Sequence, residues 1–334
     1  MTGKERIITA LQGNVPDRVP TFEWFIDPAI ARFLGIAEDP ISLVQHLELD
    51  GINLRPDYRK QVIDELTFFD EWGKVHTYTG EVLPVVKEYP IKDITAHRDF
   101  QFPAPDAADR FLTIEKALKQ FGDSKAVILN IRDGFSDLRD LLGYENALMA
   151  MLLEPEAFKE LLKRVVEYNI RLAEVAKNRY NLEVVATTDD IATATGLIVR
   201  PNVYFDLLGP AFQEITQEFR RLGYAHIKHC DGKIDDVLDF WVDAGIAAID
   251  PIDPAAGYDL ALFKEKYGQR ICLKGNVDCK GALCDGTPEE VRQEVRDCLQ
   301  KAASGGGFIL SSSNTIHSGV KPENYLAMVD ELCS

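Results

Sequence analysis

The sequence is short of positive charge, of closely spaced cysteines and of long apolar runs, and each shortage closes off a class of protein. Lysine and arginine number 37 against 54 aspartates and glutamates, a formal net charge of −17. A field of that sign repels nucleic acid and anionic membrane surfaces, and no Lys/Arg cluster is dense enough to override it. No stretch approaches the roughly 18 apolar residues that a membrane span needs. No apolar run follows the charged start Met1–Arg6, so a secretory signal is not expected. The six cysteines, at 230, 272, 279, 284, 298 and 333, include no C-x-x-C pair, which argues against a zinc ribbon or a thioredoxin-type motif. Cysteines so few and irregular suit a reducing compartment better than a disulfide scaffold. A soluble, cytoplasmic protein is expected. There is no Gly-, Ser- or Pro-rich linker and no low-complexity tract, which predicts one domain over 1–334.

What is present is an alternation of two periodicities. Hydrophobic residues make up 46% and charged residues 27%, a mixture able to bury a sizeable core. Over 155–180, Phe158, Leu161, Leu162, Val165, Leu172 and Ala176 recur at helical spacing before the β-rich run 182–187. Pro201 opens a helix with Phe205, Leu208, Phe212, Ile215 and Phe219 on one stripe, ended by Gly223. A strand at 224–229, a helix at 234–244 closed by Gly245, a strand at 246–250 and a helix at 259–267 follow. Strand 270–274, helix 287–303, strand 307–311 and a helix from 321 complete the series. The first half supplies strands at 19–22, 51–54 and 126–131, with helical stretches at 40–49 and 137–152. Eight strands alternating with helices predict an α/β fold, a (β/α)8 TIM barrel. Thr/Tyr/Val-rich runs around Thr79-Gly80-Glu81 predict a β-hairpin insertion over 70–91, lying across the barrel mouth.

In such a barrel the chemistry gathers where strands end. Those positions hold Glu23 and Trp24, Arg55 and Asp57, Arg132 within the stretch 130–134, Asp189 and Asp190, His229-Cys230-Asp231, Asp250, Asp253, Asn276, Asp278, and 311–314 with Asn314, followed by His317. Some of these have ordinary structural readings: Asp189-Asp190 as a helix cap, Ser311 to Asn314 as loop chemistry, Trp24, Phe25 and Trp72 as core. The glycines 305–307 precede the last strand, at the opposite end, and make a poor phosphate loop. His229, Cys230 and Asp231 are all competent Zn2+ ligands. In an extended strand residues i and i+2 share a face, so His229 and Asp231 converge while Cys230 points away. The same pair serves equally to hydrogen-bond a substrate with no metal.

The blocks Lys4-Glu5-Arg6-Ile7, Pro16-Asp17-Arg18-Val19-Pro20, Asp189-Asp190 with Pro201, His229-x-Asp231-Gly232, Asp250-Pro251, Gly275-Asn276-Val277-Asp278 and Gly306-Gly307-Phe308-Ile309-Leu310 resemble, in order and over nearly the whole chain, the uroporphyrinogen decarboxylase-like superfamily. That resemblance implies a TIM barrel. True decarboxylases of the family carry an Arg-Gln-Ala-Gly-Arg-Tyr type motif near the first strand. This chain has Phe22-Glu23-Trp24-Phe25-Ile26-Asp27 there, ill suited to a polycarboxylate. The other branch comprises corrinoid-dependent methyltransferases, several of which hold zinc through a His-x-Cys turn after strand five and a Cys after strand eight. His229 matches the histidine, Asp231 stands at the first cysteine, and the Ser313-Asn314 region at the second. The resemblance therefore implies an O-demethylase-like methyltransferase that moves a methyl group from a small methoxylated aromatic to a corrinoid protein, with Zn2+ as its metal. Catalytic roles fall to His229, Asp231, Asp189 and Asp190, and metal ligation to His229, Asp231 and Cys230. Substrate binding falls to Glu23, Trp24, Arg132, Asn276, Asn314 and His317. The alternatives are a decarboxylase of uroporphyrinogen or a related acid, and a non-enzymatic corrinoid-binding subunit. The protein partners considered are a corrinoid protein and a second copy of the chain.

Overall fold

The computed structural model describes residues 1–80 and 84–333. β1 (Gly51–Leu54) leads into an antiparallel excursion of β2 (Lys60–Val62), β3 (Thr67–Asp70), β4 (Val75–Thr77) and β5 (Val85–Glu88), after which the apolar runs β6 (Ala126–Arg132) and β7 (Val184–Thr188) follow. A short pair, β8 (Ala192–Thr193) and β9 (Gly196–Leu197), precedes β10 (Ala225–His229), β11 (Ala248–Asp250), β12 (Cys272–Val277) and β13 (Phe308–Ser312). Seven strands form one parallel sheet in the order β1-β6-β7-β10-β11-β12-β13. That is also their chain order, so the sheet curls in one direction, with helices crossing over between strands.

The helices start and stop where the sequence signals them. Thr2 with Glu5, and Thr287 with Glu290, form reciprocal capping boxes on helices Gly3–Leu11 and Pro288–Ala302. Pro155 opens the 26-residue helix Pro155–Tyr180, and Asn181 closes it in a left-handed conformation. The helical stretch expected at 137–152 is two helices, Phe135–Leu142 and Tyr144–Leu153, broken at Gly143 with φ 90°. A Cβ there would stand 3.0 Å from the Tyr89 ring. No helix among the described residues is long and apolar enough to cross a membrane.

Side-chain alternation divides the core in two. Ala126 and Ile128, Val184 and Ala186, Ile227, Ala248, Cys272 and Ile309 project from alternate strand positions into one small apolar cluster, which Ile7, Ala10 and Leu11 of the first helix plug from the amino end. The intervening residues, such as Val127, Leu129, Val185, Ile249 and Leu273, join the larger core beneath the helices. Continuing the inward rows by two residues gives Asn130, Thr188, His229, Asp250, Lys274 and Ser311, all buried and all polar. Each stave is therefore apolar at its start and polar at its carboxyl end.

Two expectations need correction. Residues 19–22 are not a regular strand, and the sheet is not closed into eight. Thr21 makes a single parallel bridge to Leu310. Its N–H goes instead to Asp50 Oδ2 (2.9 Å), and Pro20 has no N–H to offer a ladder. The insertion after β1 is also larger than a hairpin. Strands β2 to β5 make a four-stranded antiparallel sheet over Lys60–Glu88; the expected hairpin tip around Glu81 lies partly outside the described residues. Asp70 organises the β3–β4 turn, accepting from Trp72 N (3.0 Å) and Lys74 N (2.9 Å) and pairing with His76 Nε2 (2.7 Å). Trp72 packs edge-on against Tyr58, Phe102 and Tyr168, so it anchors this insertion in the core.

The charged start of the chain has a structural job at the amino-end rim. Asp50, 1% exposed, accepts from Arg6 (3.1 Å) and Arg18 (2.9 Å) besides Thr21. The glycines before β13 lie at this same end, and a Cβ on Gly306 would sit 2.2 Å from the Asn14 carbonyl. Gly306 is there for close backbone approach, and all three hold positive φ.

Candidate active site

The polar ends of the inward rows meet at the carboxyl end of the sheet. His229 and Asp250 are register partners on β10 and β11, and His229 Nδ1 lies 2.5 Å from Asp250 Oδ2. The other Asp250 oxygen takes Lys274 Nζ at 2.7 Å, and the same ammonium donates to Ser311 Oγ at 2.9 Å. Lys274 also sits over the rings of Phe22 (4.8 Å) and Trp24 (5.8 Å). Trp24 stacks on the His229 imidazole, centroids 4.4 Å apart. Glu23, fully buried, accepts from Ser312 Oγ (2.7 Å) and Ser312 N (3.1 Å).

With Nδ1 engaged by Asp250, the other imidazole nitrogen of His229 faces Asp231 Oδ1 at 3.5 Å. Asp231 Oδ2 accepts from Asn314 Nδ2 at 2.6 Å, and the Asp231 N–H points to Asp190 Oδ1 at 3.5 Å. One ligand atom from each of Asp190, His229 and Asp231 falls within 4.8 Å of the other two.

The charges here are tuned by burial and by one another. Burial pushes the Asp231 carboxyl up to about 6 against the pull of His229. Burial opposes charge on His229, yet Asp250, Asp231 and Asp190 outweigh it and hold the imidazole above its usual range. Asp250 would be raised by burial as well, but Lys274 and His229 keep it below the ordinary carboxylate range. Glu23 has burial as its largest influence, which lifts it to about 7 despite Lys274 and Ser312. A buried acid near pH 7 stands ready to hold or release a proton.

A zinc ion fits this donor set. Asp231 Oδ1 is buried without a hydrogen-bond partner, with His229 Nε2 facing it at 3.5 Å; a cation seated between the two would engage both atoms. His229 already has the carboxylate partner that orients metal-binding imidazoles. One nitrogen and two carboxylates are acceptable zinc ligands.

The residues singled out in the sequence separate accordingly. Glu23, Trp24, Asp190, His229, Asp231 and Asn314 are brought together. Cys230 is not: it belongs to the helix-facing core, donates to the Asp231 carbonyl (3.4 Å), and burial raises its thiol far above the usual range. Asp189 faces the same outer layer and accepts from Phe135 N (2.7 Å) and Ser136 N (2.5 Å), capping helix Phe135–Leu142. Burial and neighbouring Asp133 push it up to about 8. Lys228, between the sheet and Trp241, pairs with Asp133 at 2.8 Å in this layer. Arg132 ends β6 but is held by Asp140 (3.2 Å) and Asp137 (3.7 Å). Asn276 donates to the Ile252 carbonyl (3.0 Å) and accepts from Cys298 (3.4 Å). His317 donates from Nε2 to the Cys279 carbonyl at 3.1 Å.

Lys274 is the residue that sequence reading missed. The signal was available: a lysine two positions after Cys272, inside an apolar run, occupies an inward row. A lysine buried at the end of a strand needs a partner, and Asp250 is that partner.

These features define an α/β protein with an ionisable site at the carboxyl end of a curled parallel sheet. The family model described as uroporphyrinogen decarboxylase (URO-D) matches residues 64–333, and the chain belongs to that family. Among curated relatives, the uroporphyrinogen decarboxylase of Psychromonas ingrahamii is 38% identical over 72 residues, covering 22% of this chain and 20% of that protein. The chain thus matches about a fifth of the length of that relative. The uroporphyrinogen decarboxylase of Alkalilimnicola ehrlichii is 22% identical across 98% of this chain and 92% of its own. Among solved structures, a methyltransferase from Methanosarcina mazei superposes with a TM-score of 0.79 over 100% of this chain and 98% of its own, at 19% identity. That likeness is one of fold.

Proposed function

We propose that this protein is a methyltransferase that takes the methyl group of a small methoxylated aromatic and passes it to a corrinoid carried by a partner protein. Asp190, His229 and Asp231 would hold a zinc ion, which would supply a Lewis acid for the ether oxygen. The observation that carries the reading is the convergence of these three ligand atoms within 4.8 Å, with Asp231 Oδ1 buried and without a hydrogen bond, 3.5 Å from His229 Nε2. The fold likeness to a methyltransferase supports it. We also take the sheet as a (β/α)8 barrel in one domain, with residues 19–22 as the first stave. The Thr21–Leu310 bridge and the hydrogen bond from Asp50 N to the Thr21 carbonyl (2.9 Å) favour that.

In the proposed reaction the methyl carbon would pass to the reduced corrinoid as the carbon–oxygen bond breaks, with the bonding pair left on the ether oxygen. Zinc, when bound, supplies a Lewis acid for that oxygen. The chain supplies the geometry. Lys274 fixes Asp250, Asp250 fixes His229 through Nδ1, Trp24 stacks on the ring, and Asn314 fixes Asp231. Side chains locked in this way need little reorganisation as charge develops.

The test is to incubate the zinc-loaded protein with 4-methoxybenzoate and free cob(I)alamin. The expected products are methylcobalamin and 4-hydroxybenzoate with no CO2, and His229→Ala should lose about 100-fold in rate or more. Full turnover by that variant would remove the site, and a chain inert with methoxyarenes would remove the reading. The names of the curated relatives favour a second reading, decarboxylation of uroporphyrinogen or a related acid. CO2 release without methyl transfer would establish it.

A further inference from the structure

The open side of the sheet contains a cavity of about 330 Å3, within the size range of small-molecule pockets. It lies where residues 23–28 and helix Pro40–His46 face β1. No ladder closes this side; Asn53 Nδ2 reaches across to the Trp24 carbonyl (3.0 Å) instead. The walls are mainly apolar and include Phe25, Leu43, Val44 and Ile52. Trp24 also lines the cavity, and the same ring stacks on His229. The inner wall therefore abuts the candidate active site.

The polar groups lining the cavity fall into two sets. The acidic ones are engaged: Glu23 with Ser312, Glu38 with Arg32 (2.6 Å), and Asp39 with Ile41 N and Ser42 N (3.0 Å each). The others are not. Asn53 Oδ1 is buried without a partner. Arg55 and the side chain of Asn130 make no hydrogen bond or ion pair among the described residues. An apolar cavity with a few unpartnered polar groups is the signature of a ligand site. Arg55 is exposed at the cavity mouth, where Arg132 repels it and Asp140, Asp137 and Asp190 attract it from beyond contact distance; with no partner at contact range its guanidinium offers a seat to an anion entering the cavity. A single planar cation with apolar walls matches a carboxylate on an apolar body better than a phosphate, which calls for several donors.

We infer that this cavity binds an aromatic carboxylate, with its ring against Phe25, Leu43 and Val44 and its carboxylate on Arg55. The inference rests on the proposed methyl transfer for the identity of the reaction, since the bound acid is then the methoxylated donor; the binding stands by itself.

Titration calorimetry with 4-methoxybenzoate, anisole and inorganic phosphate tests it. The carboxylate should bind at least about tenfold more tightly than anisole, the worth of one charged hydrogen bond, and phosphate should not bind. Arg55→Met should erase the preference for the carboxylate while leaving anisole binding and the melting temperature as they were. Leu43→Trp, which fills the cavity, should weaken both ring compounds. Equal affinity for 4-methoxybenzoate and anisole, or a preference that survives Arg55→Met, would overturn the inference. Tight, Arg55-dependent binding without methyl transfer would uphold the pocket and remove the reaction. Methyl transfer from 4-methoxybenzoate that Arg55→Met leaves unchanged would remove the pocket alone.

Discussion

His229 and Asp250 face each other across neighbouring strands with 2.5 Å between Nδ1 and Oδ2, and the second Asp250 oxygen is held by Lys274. Asp250 is thus a positioning residue for the imidazole. Asp250→Asn preserves shape but removes the charge that orients His229 and would strengthen it as the proposed zinc ligand. Zinc affinity, measured by competition with a chelator, should fall about 10- to 100-fold. An unchanged affinity would separate Asp250 from the metal site.

Asp189 and Asp190 are adjacent in sequence and opposite in direction. Asp189→Ala removes the cap of helix Phe135–Leu142 and should cost about 1–2 kcal/mol in urea denaturation, with zinc affinity unmoved. Asp190→Ala should do the reverse, lowering zinc affinity with little change in stability. If both variants behave alike, the two side chains do not face different layers.

Glu23 gives stability a pH dependence of definite sign. Its carboxyl sits at about 7 in the folded protein against an ordinary 4.5, so between those values the folded chain binds more protons than the unfolded one. The penalty is absent below the ordinary value, grows as pH rises towards 7, and is constant above it. Glu23→Gln removes this penalty. The stability of the variant relative to wild type should rise by about 2–3 kcal/mol from roughly pH 4 to pH 8. A difference that stays flat across that range would show that the carboxyl titrates normally.

At the other end of the sheet, Asp50→Ala strands Arg18 and the Thr21 N–H and takes one partner from Arg6, which keeps its pair with Asp17 (2.6 Å). The arginines keep partial access to water, so a loss of about 2–3 kcal/mol is expected rather than more. Zinc affinity should not change, because the network is at the amino-end rim. A stability loss under about 0.5 kcal/mol would place the network among ordinary surface pairs.

Most of the parallel sheet was legible because its strands are short apolar runs between unmistakable helices, as from Pro155 to Leu310. The pairing of His229 with Asp231 followed from strand alternation alone. What alternation cannot supply is phase: nothing local says whether Asp189 or Asp190 is the inward one, and only the registry of β7 with β10 decides it. Residues 19–22 fall short of a regular strand because the Thr21 N–H is diverted to a side chain 29 positions away, Asp50. The insertion after β1 was undersized because Lys60–Val62 is wholly exposed and carries no burial pattern. Lys274 was passed over because its partners, Asp250 and Ser311, lie on other strands.

Strand alternation at β10 also has an evolutionary consequence. His229 and Asp231 look inward while Cys230, between them, is locked into the layer beneath the helices. Position 231 therefore mutates without disturbing the core, and position 230 does not. Exchanging a carboxylate for a thiolate at 231, with Asn314 opposite it, would shift the preference of the site from hard to soft metals in a single codon's reach of change or two. The scaffold would not register the difference, because neither Asp231 nor Asn314 belongs to the apolar clusters that hold it together.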